Sequence, residues 1–390
     1  MTQTNPSQHG ISLFLSAGFR PFFLLSGLWS TIAMSWWIAI LMLHAPLPST
    51  FEPYLWHIHE MLFGFVGAAV AGFLLTAIPN WTGRPAIKGA PLAALALIWI
   101  AGRVAALTQL PRTSAMAIEI LFYALLAGMM LREIVGAKNW RNLPMAAPVI
   151  ALGVADALMC LPDNISSASS DLAWRLGLAA IVILISAIGG RIIPNFTRNW
   201  LTARQVIVRP ATSSYLDRIA MATLHPGLIG WAFYPSAKPV AILLIVGAII
   251  NLIRLVRWRG YATLAEPLLV ILHIGYLWLI VGAALAGASI LTAAVPEVAA
   301  VHAFTAGAIG TMTLAVMTRA TRGHTGHPLR ADRATSLIYL MVIAAAIARV
   351  CASFAPSLAL PLLGTSGGLW IASFLMFSII YGRILITSPR

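Results

Sequence analysis

The stretch WHIHEMLFGFVGAAVAGFLLTAIPNWTG, residues 56–83, decides the fold. After Glu60 it runs to Gly83 without a charged residue. At 1.5 Å of rise per residue, an apolar helix of this length crosses the roughly 30 Å hydrocarbon core of a bilayer. Comparable runs recur along the chain, at about 22–43, 54–79, 90–108, 113–132, 145–161, 172–194, 216–235, 238–255, 264–288, 297–318, 334–353 and 362–384. The 390 residues are 60% hydrophobic and only 9% charged, with a mean hydropathy of +0.88. A soluble domain carries about a quarter charged residues, so this chain cannot cover a water-facing surface. An ordinary cytosolic enzyme, a disordered chain and a nucleic-acid-binding module are excluded. The expected fold class is an all-α polytopic membrane protein with about 12 transmembrane helices. It forms a single integral membrane domain over residues 1–390, and its first partner is the lipid bilayer.

The net charge of +14 reads as a topology signal, because Lys and Arg accumulate in cytoplasmic loops. With twelve spans and the N-terminus inside, alternate loops collect all but five of the 25 Lys and Arg; the outer five are Arg103, Arg112, Arg175, Lys238 and Arg349. This split predicts that both termini are cytoplasmic, and no nucleic acid partner is expected from the charge. The N-terminus has neither a basic region nor a small-residue cleavage site, so no removable signal peptide is expected. Cys160 and Cys351 are too few and too far apart for a thiolate metal site or a disulfide framework. Both fall toward outer helix ends, and whether they meet is open.

An internal repeat adds to this. Ile78-Pro79-Asn80-Trp81-Thr82 at the inner end of the second span returns as Ile193-Pro194-Asn195-Phe196-Thr197 at the inner end of the sixth. The tenth span ends more loosely, with Gly310 to Thr318 aligned on Gly72 to Asn80 through Gly72/Gly310 and Ala77/Ala315. The matches lie four spans apart, so the chain reads as three four-helix repeats, about 20–135, 136–258 and 259–390. Transporters usually divide twelve spans into halves. Three units of four is similar to the plan of the haem–copper oxidase catalytic subunit.

Histidine inside a membrane is costly and marks function by default. His9 and His44 lie at ends, and His324 and His327 in the inner loop after the tenth span. The intramembrane set is His57, His59, His225, His273 and His302. His57 and His59 open the second span and His302 opens the tenth, all within about two turns of the outer interface. From His57, helical steps lead to Glu60, Gly64, Ala68 and Ala71, a small-residue stripe; from His59 they lead to Phe63, Val66, Val70 and Phe73, a bulky one. On a regular helix the two histidines stand about 200° apart and face opposite sides. Below His302 lie Thr305, Ala306, Ile309, Gly310 and Thr313.

Haem iron takes an axial imidazole in an apolar pocket, and histidines from facing helices hold it in helical bundles. His57 or His59, with His302, are therefore the expected ligands of a haem b. His273 shares a face with Tyr276 and is the best candidate for a second metal site, suited to copper, or for a proton route. His225-Pro226 breaks the seventh span, and irregular backbone at membrane depth usually lines a cavity. Arg191, inside the sixth apolar run, and Arg20, at the start of the first, are candidates to pair with a haem propionate or a carboxylate. Plainer readings stand beside these. Small-residue stripes pack helices, a lone buried histidine is often a hydrogen-bonded packing residue, and arginines near interfaces snorkel to headgroups.

Several long blocks carry a resemblance. They are Phe19-Arg20-Pro21-Phe22-Phe23; Trp56-His57-Ile58-His59-Glu60-Met61 through Ile78-Pro79-Asn80-Trp81-Thr82-Gly83; Gly189-Gly190-Arg191-Ile192-Ile193-Pro194; His302-Ala303-Phe304-Thr305-Ala306-Gly307; and Met317-Thr318-Arg319 through Gly323-His324-Thr325-Gly326-His327. The chain resembles the NnrS family nearly end to end. The resemblance implies a bacterial inner-membrane protein linked to nitric oxide metabolism and nitrosative stress, in a family described as binding haem and copper. It carries no family-wide ligand assignment. Unlike a haem–copper oxidase, the sixth span here has no histidine and no adjacent His-His pair occurs, so oxygen-reducing chemistry is not expected.

The expected function is thus a haem-binding, or copper-binding, membrane protein that binds, senses or detoxifies nitric oxide. Whether it turns over is open; an enzyme of this kind needs an external electron donor. Two rivals remain. A twelve-helix transporter of a metal or nitrogen-oxide species predicts a colourless protein. A cofactor-delivery or signalling protein predicts an exchangeable cofactor and a protein partner.

Overall fold

In a computed structural model, the structure describes residues 6–161, 167–208 and 210–387. Among them there are helices and turns and no strand. A short α1 (Pro6–Phe14) is followed by α2 (Phe19–Leu43), α3 (Pro53–Thr82), α4 (Ala90–Ala105), α5 (Arg112–Gly136), α6 (Trp140–Met159), α7 (Ser167–Ala203) and α8 (Ser214–Phe233). Then come α9 (Lys238–Arg257), α10 (Pro267–Leu291), α11 (Glu297–His324), α12 (Arg333–Ala352) and α13 (Pro356–Ile386). Helices α2 to α13 fall on the twelve apolar segments read from the sequence. Ten are long and apolar enough to cross a membrane. The other two are α4, whose 16 residues span about 24 Å, and α8, which carries Asp217, Arg218, His225 and Pro226.

The helices are apolar on the outside as well as inside. On α9, Ile242, Ile249 and Val256 are each more than half exposed, while Ala241, Leu244, Ala248 and Asn251 on the other side are buried. Water would not tolerate such a stripe, but lipid does. Ends are set by local chemistry. Ser213 Oγ accepts from the Leu216 N–H at the start of α8, and Asp332 Oδ1 from the Thr335 N–H at the start of α12. Gly83, at φ +70°, stops α3 four residues after Pro79. The matching Ile193-Pro194-Asn195 stretch is followed by Arg198 rather than glycine, and α7 runs on to Ala203.

Two helices widen locally to π-helical pitch among the described residues. A π-helical turn occupies Glu60–Phe65 in α3 and another Ala303–Ile309 in α11. Each begins directly after a histidine singled out above, His59 and His302. A π-turn holds an extra residue and is frequent at functional sites.

The chain divides into two compact units. The first comprises Met1–Gly177, Met317–Leu329 and Phe374–Arg390; the second comprises Leu178–Val316 and Arg330–Ser373. The first unit has an aromatic core of Phe22, Phe23, Phe63, Phe65, Phe122 and Phe374, none more than 1% exposed. Gly72 lets Phe23 lie against α3: a Cβ there would sit 2.7 Å from the ring. The second unit is centred on Trp231, Trp258, Tyr276, Leu279 and Phe304.

Candidate metal centre

In the first unit, α3 delivers His59 and α6 delivers Asp156, with Cys160 one turn later at the α6 C-cap. The spacing of four puts Asp156 and Cys160 on one face, and His59 meets them both. His59 Nε2 lies 2.9 Å from Asp156 Oδ1 and 3.8 Å from Cys160 Sγ, and Sγ lies 4.0 Å from Asp156 Oδ1. Among the described residues this trio forms the group able to hold a metal ion, with one ligand atom from each within 4.8 Å of the others. All three are buried. Asp156 Oδ2 is also buried and has no hydrogen-bond partner. Phe51 and Phe63 flank the imidazole, with ring centroids at 5.0 and 5.6 Å.

Around the trio stands a buried charge network. Glu60 Oε1 lies 2.7 Å from His59 Nδ1. Glu60 Oε2 accepts from Trp29 Nε1 at 2.7 Å and from Arg103 Nη1 at 2.8 Å. Arg103 Nη2 pairs in turn with Glu119 Oε1. Glycines make the room: a Cβ on Gly64 would meet Arg103, Trp29 and Glu60, and one on Gly102 would meet Glu119. Glu60, Glu119 and Asp156 set three carboxylates against one guanidinium, all buried. With the imidazole neutral, two negative charges stand uncompensated. Buried charge of that kind is costly unless a cation or retained protons offset it. Imidazole, carboxylate and thiol together suit a transition metal of the copper, zinc or iron class, whereas magnesium and calcium prefer all-oxygen sites.

The chain matches the family described as NnrS protein over residues 13–390. The protein belongs to the NnrS family. No curated protein matches it.

The other expected site residues of this NnrS-family protein are distributed as follows. His57 stacks on Trp37, with centroids 4.5 Å apart and planes 11° apart. His59 is buried, with a carboxylate at each ring nitrogen. The small stripe below His57 receives side chains, Arg103 and Trp29 at Gly64, and beside the stripe the Tyr123 hydroxyl approaches Gly67. Arg20 is buried, and its Nη1 donates to the carbonyls of Leu385 and Thr387 at 2.6 and 3.0 Å, closing the end of α13. Arg191 is exposed on α7.

In the second unit, His302 Nδ1 donates to Val298 O at 2.9 Å. His273 Nδ1 donates to Leu269 O at 2.9 Å, and its Nε2 lies 3.4 Å from Thr197 Oγ1. Tyr276, on the same helix, serves a different network. Its hydroxyl donates to Asn251 Oδ1 and accepts from Arg254 Nη1, while Arg254 Nε donates to Asp217 Oδ1 at 2.6 Å. His225 Nε2 lies 3.3 Å from Ser186 Oγ.

Two cysteines far apart in sequence pointed away from a thiolate metal site, yet Cys160 alone lies beside the His59 imidazole of α3 and the Asp156 carboxylate one turn earlier on α6, a group able to hold a metal ion. Both cysteines are free thiols, Cys160 buried and Cys351 exposed. Sequence reasoning also passed over Asp156 and Glu119 and placed Arg103 with the outer loops. The signal was present: Asp156 in VIALGVADALMC and Glu119 in AIEILFYALL are acids inside apolar runs, in a chain with only 11 acidic residues. Intramembrane acids deserve the scrutiny given to the histidines.

Proposed function

We propose that this NnrS-family protein is a nitric-oxide-associated membrane metalloprotein whose metal is held by His59 Nε2, Asp156 and Cys160 Sγ. Family membership supports the association with nitric oxide. The observation that carries the metal is the convergence of those three donors in a buried pocket, with Asp156 Oδ2 unpartnered. A thiolate beside an imidazole favours copper among the common metals. The acidic surroundings stabilise a cation there. An external donor supplies electrons if the centre turns over. The Lys and Arg distribution supports an inner-membrane location with both termini cytoplasmic.

His302 favours a haem b as a second centre. Because Nδ1 donates to a carbonyl, Nε2 carries the lone pair, which is the tautomer of an axial ligand whose other nitrogen is anchored. Arg20 is committed to the end of α13.

The test is metal analysis together with a dithionite-reduced minus oxidised spectrum of the purified full chain, with and without nitric oxide. We expect stoichiometric copper that is lost in His59→Ala and Cys160→Ser. We also expect a b-type haem band that shifts with nitric oxide and fades in His302→Ala. A folded, colourless protein without bound metal contradicts this reading and returns the transporter to first place.

A further inference from the structure

The metal reading leaves one feature of the first unit unexplained. His59 and Glu60 are neighbours in sequence, and neighbours on an α-helix do not face each other. Here their side chains meet at 2.7 Å. The contact falls at the junction where α3 passes from α-helical pitch into the π-turn Glu60–Phe65. The extra residue of that turn alters the direction in which side chains leave the helix.

Glu60 is itself fixed from the far side. Its Oε2 takes two donors, Trp29 Nε1 and Arg103 Nη1, which leaves Oε1 for the imidazole. Arg103 is anchored behind by Glu119. Gly64, one turn along, is the cradle that admits this group: a Cβ there would stand 2.8 Å from Trp29 Nε1 and 3.0 Å from Glu60 Oε2, and would collide with Arg103. None of these residues lies among the three metal donors.

We infer that Glu60 is a positioning residue of the His59–Asp156–Cys160 centre, gripping His59 Nδ1 so that Nε2 is aimed at Asp156 and Cys160. This rests on the metal reading above. A carboxylate that accepts the N–H of a ligand histidine fixes the ring orientation and the tautomer and raises the basicity of the other nitrogen. Glu60 is well made for that role, because Trp29 and Arg103 hold it still and one oxygen is reserved for the ring. The π-turn and Gly64 are the backbone features that make this arrangement possible.

The probe is cobalt(II), titrated into the metal-free full chain in detergent and followed by its thiolate-to-cobalt charge-transfer band. Glu60→Gln keeps an acceptor and loses the charge, Glu60→Ala loses both, and Gly64→Ala disturbs the grip without touching Glu60. We expect affinity to fall about 10- to 100-fold in Glu60→Gln and further in Glu60→Ala. Gly64→Ala should weaken binding in the same direction, and the band should be retained at saturation in all three. Wild-type affinity in Glu60→Gln and Gly64→Ala, with binding abolished in His59→Ala and Cys160→Ser, overturns the positioning role and leaves the metal centre standing. An unchanged band in His59→Ala and Cys160→Ser overturns the centre itself. Since Glu60→Gln leaves Arg103 with one carboxylate fewer, Trp29→Phe serves as a milder variant. It removes a single donor to Glu60, and a wild-type affinity there together with one in Gly64→Ala also counts against the inference.

Discussion

Arg103, on α4, ties α3 to α5 through two buried carboxylates. It bridges Glu60 and Glu119 while 2% exposed. Replacing it by methionine keeps the length and leaves two buried carboxylates without their cation. Breaking a buried ion pair in this way costs about 3–5 kcal/mol, and we expect Arg103→Met to lower the unfolding midpoint in detergent, or the folded yield, far more than Arg84→Met. The Arg84–Glu133 pair is a fair control because Arg84 is 41% exposed and water screens it. His59 could be singled out from sequence because an imidazole in an apolar run is expensive. Its partners could not. Asp156 and Cys160 lie 97 and 101 positions further on, and no local pattern connects them to α3. Arg20 was marked as a charge at the start of an apolar run, but its partners are carbonyls 365 and 367 positions away, which composition cannot reveal.

At the scale of elements, the length of the apolar runs located α2 to α13, since a run of twenty apolar residues in a membrane protein can hardly do anything else. The face assignments along α3 were less secure. Steps of three and four hold only where the pitch is 3.6 residues, and the π-turn shifts every residue before Glu60 relative to those after Phe65. Nothing in the composition of Glu60–Phe65 announces that change. It suggests a direct experiment. Deleting Met61 removes the extra residue, returns the turn to α-helical pitch and rotates the segment bearing His59 by about 100° relative to Gly64 and beyond. We expect circular dichroism to show unchanged helix content while the thiolate-to-cobalt band disappears. The same turn after His302 in α11 supports the proposal that the two helices are related repeats.

On the scale of the whole molecule, the sequence predicted a polytopic helical protein, and the helices with their lipid-compatible outer faces agree. The division into two compact units was not foreseen, because it brings Phe374–Arg390 and Met317–Leu329 together with the first 177 residues, across long separations that local patterns do not record. The loop charges support a cytoplasmic C-terminus, even with Arg103 withdrawn from the count as a buried ion pair. A fluorescent-protein fusion after Arg390 should therefore fluoresce, and an alkaline phosphatase fusion at the same point should be inactive. The central claim is a metal bound by one imidazole, one carboxylate and one thiolate in the first unit, and X-ray absorption at the edge of the bound metal tests it most directly. The account predicts one sulfur neighbour at about 2.3 Å beside nitrogen and oxygen neighbours at about 2.0–2.2 Å, and no bound metal in Cys160→Ser. A metal shell without sulfur in the wild type, or metal retained in Cys160→Ser with an unchanged shell, would contradict it.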